Sequence, residues 1–354
     1  MKNQKPGDDV RRINISGQTG NSTIFAGESL ENIQARLPAG VRLIIITDEN
    51  VRRLYSERMP PSKHIVTATT EAAKTLDTAA FIYRRLIELQ ADRAVFLLGV
   101  GGGIVCDITG FVAATYLRGV RFASAPTTLL AQVDASVGGK TGVNFNGYKN
   151  MVGVFNQPML VFCDPSVLKT LPEAEIANGF AEIVKHAAIA DDRYFNLIEQ
   201  NVDQALALEP DLLEKIVHDS IAIKADIVNR DEREQGERKK LNFGHTVGHA
   251  LEKTSGFSHG KAVSIGMAAA ARLSVQKGYL SESQERRIKS LLVSLGLPVW
   301  TRFDPDAVFE ALARDKKRLD ENIHFVLLSG IGKSFVEPVG LSELRKFLEG
   351  LAAG

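Results

Sequence analysis

The sequence predicts an α/β domain followed by a mostly α-helical one. Strand-like apolar runs alternate with helical patterns only as far as Asp164. Within that half, the apolar run at 94–98 enters Gly99, Gly101, Gly102 and Gly103, and then a helical pattern with Asp107 on its second turn. From Pro172 onward nearly every segment has helical periodicity. Together these observations predict a Rossmann-like nucleotide-binding domain over residues 1–170 and a mostly α-helical domain over 171–354.

Taken in order, RRINIS and STIFAG read as short strands, and VRLIIITDEN as a buried strand ending in Asp48 and Asn50. A carboxylate at the end of such a strand is where a ribose is met in doubly wound sheets, and it equally suits the N-cap of the next helix. HIVTAT is a further strand, and Glu71 and Lys74 open an amphipathic helix expected to run through Ala91. The glycines after 98 carry no Cβ, so the backbone can approach a pyrophosphate, and the helix behind them offers unpaired amide donors. Ile104 stands where GxGxxG has its third glycine, so the pattern is GGGxxxD, which still favours phosphate or dinucleotide binding over a plain turn.

Thr127, Thr128 and Asp134 lie beside the next strand, and Gly138, Gly139 and Lys140 form a second glycine turn. Its GGKT resembles a Walker A tail but lacks the glycine five residues before Gly139. ATP hydrolysis is therefore not expected, while Lys140 can still meet a phosphate as a point charge. Lys149 and Asn150 add donors in the same glycine-rich, weakly periodic stretch.

In the second half, successive helices follow from EAEIANGFAEIVKHAAIA onward, and IHFVLLSGIG with SFVEPV reads as a small hairpin. Glu182 and Lys185 sit one turn apart in an apolar stripe of Phe180, Ile183 and Val184. Two readings stay open: a weak surface ion pair, or an inward pair with Glu182 on a metal and Lys185 on an anionic substrate. Lys224, Arg238, Lys316 and Lys317 pose the same choice.

The stretch LNFGHTVGHALEKTSGFSHG carries three of the seven histidines. His245 and His249, four apart on a helix, share one face. Gly256, Phe257 and Ser258 break that helix, which lets His259 fold back toward the pair. Convergent neutral imidazoles suit Zn²⁺ and its neighbours, although HxxxH also arises in helices that bind nothing. Thr246 occupies the place of the general-base Glu of HExxH, so a metalloprotease reading fails.

Composition narrows the classes further. Lys plus Arg (43) nearly balance Asp plus Glu (42), so no global field calls for nucleic acid or an anionic membrane. Cys106 and Cys163 are too few for a disulfide framework and point to a reducing compartment. No N-terminal apolar signal and no membrane-spanning run is present, so a soluble, cytoplasmic protein is expected.

The glycine loop, GGKTGVN, KNMVG, GFAEIVKHA and LNFGHTVGHALE, in this order, resemble the 3-dehydroquinate synthases among the sugar phosphate cyclases. The match spans roughly Asp48 to Lys317. The resemblance implies Glu182, His245 and His259 as ligands of Zn²⁺ or Co²⁺, with His249 on the substrate side. It implies NAD against Asp48, Glu71, Lys74, Gly102, Gly103, Asp107, Thr127, Thr128, Lys140 and Lys149. Arg118, Asp134, Lys140, Asn150, Lys185, Lys224, Arg238 and Asn242 fall on the family's substrate positions, and a homodimer is implied as well. The chain departs from the family's usual His-Pro after GVN, carrying Phe145-Asn146 there and Tyr148 before Lys149.

The activity so implied is conversion of 3-deoxy-D-arabino-heptulosonate 7-phosphate into 3-dehydroquinate and phosphate, a step of the shikimate pathway. It proceeds through transient oxidation by NAD, phosphate elimination, reduction and aldol closure, and is a carbon–oxygen lyase reaction overall. Lys140, Lys185, Arg118 and Asn150 would hold the phosphate, and Lys224 and Arg238 the carboxylate. The rival readings are a cyclase acting on sedoheptulose 7-phosphate and a metal-dependent polyol or alcohol dehydrogenase. A non-catalytic binding protein is a third. A neutral polyol has no use for the four cations Lys140, Lys185, Lys224 and Arg238. Leu241, Asn242 and His249 favour the heptulosonate over the sedoheptulose branch.

Overall fold

The computed structural model describes residues 10–68, 70–316 and 322–352. The chain divides into two compact units, Met1–Pro172 with Pro210–Arg233, and Glu173–Glu209 with Glu234–Gly354. No helix among the described residues is long and apolar enough to cross a membrane.

The first unit is built on a seven-stranded sheet. Its strands are β1 (Arg11–Gly17), β2 (Gly20–Ala26), β3 (Arg42–Asp48), β4 (Lys63–Thr67), β5 (Val95–Gly101) and β6 (Arg121–Pro126). After a separate hairpin of β7 (Lys140–Phe145) and β8 (Tyr148–Phe155), β9 (Leu160–Cys163) returns to it. The order is β1-β2-β9-β6-β5-β3-β4, parallel throughout except for the β1–β2 hairpin. Strand β5, VFLLGVG, is buried along its whole length, as central strands covered on both faces are. Ile44, Ile46, Ile65, Leu97, Ile82, Leu86, Ile108 and Val112 pack one of those faces. Gly101 is in register with Pro126, so the turns after β5 and β6 leave the sheet side by side.

Three local features differ from the sequence reading. Glu71 and Lys74 precede the amphipathic helix rather than opening it. That helix is Leu76–Glu88, because Thr75 is its N-cap and accepts from the Thr78 amide at 3.3 Å. The glycine-rich stretch after Lys140 is a hairpin whose register shifts between Val143 and Phe145, closed by Asn146 and Gly147 with φ of 48° and 80°. Two successive left-handed residues make the turn whose twist suits a hairpin, and Asn-Gly is its favoured sequence. Asp134, thirdly, lies in a single π-helical turn, Ala131–Ala135.

The helix Pro210–Arg230 groups with the first unit, whereas the sequence reading places it in the second domain. Its apolar stripe of Leu213, Ile216, Val217 and Ile221 is buried. Asn229 fixes the register against the edge of the sheet, accepting from the Ser16 amide at 2.8 Å and donating to the Asn14 carbonyl at 3.1 Å. Glu232 beyond its end accepts from the Gln18 amide at 2.7 Å and from Gln157 at 2.9 Å.

The second unit is helical, with one hairpin of β10 (Asn322–Gly330) and β11 (Lys333–Gly340). Val247, Leu251, Leu273, Phe325, Leu327 and Leu344 belong to its core. Two helices meet there at backbone distance, His245–Ser255 and His259–Gln276. A Cβ at Gly266 would lie 1.9 Å from the Gly244 carbonyl oxygen, so only glycine permits that approach.

Candidate active site

In the first unit the glycine and threonine turns expected to meet a phosphate follow the C-terminal ends of β5 and β6. The Thr127 amide donates to the Gly101 carbonyl at 2.9 Å, and a Cβ at Gly102 would meet the Thr128 methyl at 3.2 Å. The helix Gly103–Thr115 begins at this turn, so its free amides face the same side as the two threonines' turn. Lys74 is buried, paired with Asp107, and donates to Asn150 Oδ1 at 2.5 Å. Burial raises the Asp107 carboxyl above its ordinary value, and Lys74 opposes that shift. Glu71 accepts from Asn144 at 2.8 Å. These contacts bring Glu71, Lys74, Asp107 and Asn150 together with the β7–β8 hairpin.

Asp48 is the N-cap of the helix Glu49–Tyr55, accepting from the Val51 amide at 2.8 Å. Burial raises its pKa, against the two backbone hydrogen bonds that lower it. Lys224 donates to the Asp134 carboxylate at 2.5 Å. Arg118 is exposed at φ 67°, and Lys140 and Lys149 are exposed too.

In the second unit Glu182 and Lys185 face inward on the helix Glu173–Ala190, at 0% and 1% exposure, and form an ion pair. The surface-pair alternative is thereby removed. Glu182 Oε1 lies 3.1 Å from His259 Nε2 and 3.6 Å from His245 Nε2. Each histidine is the first residue of its helix, so the carboxylate stands at two positive dipole ends. Nδ1 of His245 is 3.2 Å from the Phe243 carbonyl, and Nδ1 of His259 is 3.0 Å from Glu252. Asn178, one turn before Glu182, accepts from Ser258 Oγ at 3.0 Å and from the Gly260 amide at 3.2 Å, which holds the start of the second helix in place.

Glu182, His245 and His259 can each offer one ligand atom within 4.8 Å of the others. One carboxylate and two imidazoles is a donor set that Zn²⁺ and Co²⁺ accept, so these residues fit such an ion. Burial pushes the His245 imidazole down to about 3, keeping it neutral as a ligand must be. Burial also acts to lower His259, but hydrogen bonds to Glu182 and Glu252 hold it up at about 10. The His249 ring stands 5.1 Å from that of His245 and 6.4 Å from that of His259, and it is exposed.

The family model for the N-terminal part of 3-dehydroquinate synthase matches residues 64–178, and that for its C-terminal part residues 179–318. A 3-dehydroquinate synthase of Dehalococcoides mccartyi (strain CBDB1) is 43% identical over 340 residues, covering 92% of this chain and 94% of that protein. The chain belongs to the 3-dehydroquinate synthase family.

Solved structures related to this family member carry the cofactors. A 2-deoxy-scyllo-inosose synthase complexed with carbaglucose-6-phosphate, NAD⁺ and Co²⁺ superposes with a TM-score of 0.86 at 27% identity, covering 96% of this chain and 100% of the other. The 2-epi-5-epi-valiolone synthase of Streptomyces hygroscopicus subsp. jinggangensis 5008, with NAD⁺ and Zn²⁺ bound, gives 0.82 at 30% identity over 90% and 94%.

Within this 3-dehydroquinate synthase family chain, Arg238 is buried at 2% and Asn242 donates to Glu234. Lys317 lies outside the described residues. Sequence reasoning passed over Asn178 and Glu252. Asn178 carried a signal, a polar residue four before Glu182 on an otherwise apolar face. Glu252 carried a weaker one, as the acid of GHALE at the end of its helix.

Proposed function

We propose that this chain converts 3-deoxy-D-arabino-heptulosonate 7-phosphate into 3-dehydroquinate and phosphate, as a carbon–oxygen lyase that uses NAD without net consumption. The observation that carries the reading is the convergence of the part-buried His245 and His259 on the buried Glu182 and Lys185 in a chain of this family.

NAD, when bound, accepts and returns a hydride. It is assigned to Gly102, Gly103, Thr127 and Thr128, with Asp48, Glu71, Lys74, Asp107, Lys140 and Lys149 around it. A Zn²⁺ or Co²⁺ ion, when held by Glu182, His245 and His259, polarises a substrate hydroxyl and lowers its pKa. The remaining residues bind and orient. Lys185 places an ammonium in a site from which water is excluded, where a developing anion gains most from it. His249 presents an exposed ring beside His245 and is assigned to a substrate hydroxyl. Arg238 and Asn242 are assigned to the carboxylate end of the substrate. In the first unit, Lys140, Asn150 and Arg118 are assigned to the phosphate, and Asp134 fixes the Lys224 ammonium for an anionic group.

The number of cations assigned to the substrate, Lys140, Lys185, Lys224, Arg238 and Arg118, suits an anionic substrate better than a neutral polyol. A homodimer in the cytoplasm belongs to the same proposal, and sedimentation of the purified protein tests the first part. Phosphate release from the heptulosonate phosphate and from sedoheptulose 7-phosphate, measured side by side with NAD⁺ and Zn²⁺ present, tests the substrate. Turnover of the first alone is expected. Turnover of the second alone would place the chain with another cyclase.

A further inference from the structure

We propose that Glu252 is a positioning residue of the metal centre, fixing the tautomer and ring plane of His259; this rests on the reading that Glu182, His245 and His259 hold a divalent ion. The His259 ring is held at both nitrogens, with Nε2 3.1 Å from Glu182 Oε1 and Nδ1 3.0 Å from Glu252 Oε1. A carboxylate on Nδ1 keeps the proton there and leaves the Nε2 lone pair for an ion on the Glu182 side. His245 is oriented in the same sense by a neutral acceptor, the Phe243 carbonyl at 3.2 Å from its Nδ1. The two imidazoles are thus aimed by partners of unequal strength, and His259 has the stronger one.

The place of Glu252 in the chain supports a dedicated role. It occupies the last turn of the helix His245–Ser255, where its carbonyl accepts from the Gly256 amide at 3.2 Å. A negative side chain at that end is opposed by the helix dipole, and this one is only 9% exposed. Its contact with His259 Nδ1 at 3.0 Å is what offsets that unfavourable position.

Glu252 also belongs to a second triad of ligand-type residues, His249, Glu252 and His259. His259 is common to both. The Glu182 set is chosen because its carboxylate is fully buried, whereas His249 in the other is exposed. A fully buried carboxylate attracts a cation through a lower effective dielectric than a site that includes an exposed ring.

The test is Zn²⁺ affinity of the full-length protein, stripped of metal and titrated against a chelating indicator, with stoichiometry measured by elemental analysis. Glu252→Ala is expected to weaken Zn²⁺ binding about 10–100-fold. Glu252→Gln, whose amide oxygen still accepts from Nδ1, is expected to lose less, with one Zn²⁺ per chain in every case. Co²⁺ substitution supplies a second readout, since a reoriented His259 shifts the visible absorption of the bound ion and a merely structural role does not. Unchanged affinity in both variants overturns the proposal. So does a loss as complete as that of His259→Ala, or a second Zn²⁺ per chain that disappears with Glu252, because either makes Glu252 a ligand. Glu182→Ala separates the two levels: full Zn²⁺ affinity in that variant refutes the underlying metal site, whatever Glu252 does.

Discussion

The Lys224 ammonium donates to both the backbone carbonyl of Asp134, at 2.6 Å, and its carboxylate, at 2.5 Å, across 90 residues of sequence. The pair ties the Pro210–Arg230 helix to a π-helical turn, a form found mostly as single turns at functional sites. Lys224→Met should destabilise the protein by about 1.5–3 kcal/mol, the range for a hydrogen bond to a charged group. The lower part of that range is expected, since the Asp134 side chain is 24% exposed. A double-mutant cycle with Asp134→Asn by denaturant unfolding checks it. Additive effects would mean that the two residues do not act together.

Lys185 and Glu182 form a pair with almost no exposure. Lys185→Ala should lower turnover by orders of magnitude while changing NAD affinity little. It should also destabilise the metal-free protein, by less than the about 3–5 kcal/mol of a fully uncompensated buried charge, because His259 stays beside the Glu182 carboxylate. Steady-state kinetics with NAD⁺ titration separates the two effects, and an equal loss of turnover and NAD affinity would count against the assigned role.

Gly266 lies where a Cβ would come 1.9 Å from the Gly244 carbonyl oxygen and 2.9 Å from the Gly248 nitrogen. Both contacts are to backbone, so Gly266→Ala has to push two helices apart. A cost of about 1–3 kcal/mol or more is expected. Gly244 immediately precedes His245, so Zn²⁺ affinity should fall with stability. Thermal denaturation paired with a Zn²⁺ titration tests this, and unaltered affinity in a destabilised variant would uncouple the helix contact from the site.

Cys106 and Cys163 are both fully buried thiols. Burial pushes Cys106 up to about 12 and Cys163 up as well, so thiolate is scarce at neutral pH. Native protein should resist a thiol-specific reagent at pH 8 that labels both residues in denaturant. Rapid labelling of the native state would show that this part of the first unit opens readily.

Much of the architecture was legible in the chain. The continuous apolar run of β3 and the glycines after β5 announced a parallel sheet, and the late hairpin was readable from IHFVLLSGIG and SFVEPV. The β7–β8 hairpin was readable too, from Asn146-Gly147, but the density of glycines and cations around it suggested irregular chain. The grouping of the Pro210–Arg230 helix was not legible, because an amphipathic stripe shows that a helix is covered and not by which layer. Asp48 offered cap and ribose contact alike, and the structure shows the cap. For the histidines, spacing singled out His245 and His249. All three rings do converge, and it is the position of Glu182, from a distant helix, that distinguishes His259 from His249.

The most direct measurement follows inorganic phosphate and NADH absorbance together, in one reaction of the Zn²⁺-loaded protein with NAD⁺ and 3-deoxy-D-arabino-heptulosonate 7-phosphate. One phosphate released for each substrate consumed, with no accumulation of NADH and with loss of turnover on chelation, is the expected result. NADH rising in step with substrate loss, or phosphate release undiminished in metal-free protein, would contradict it.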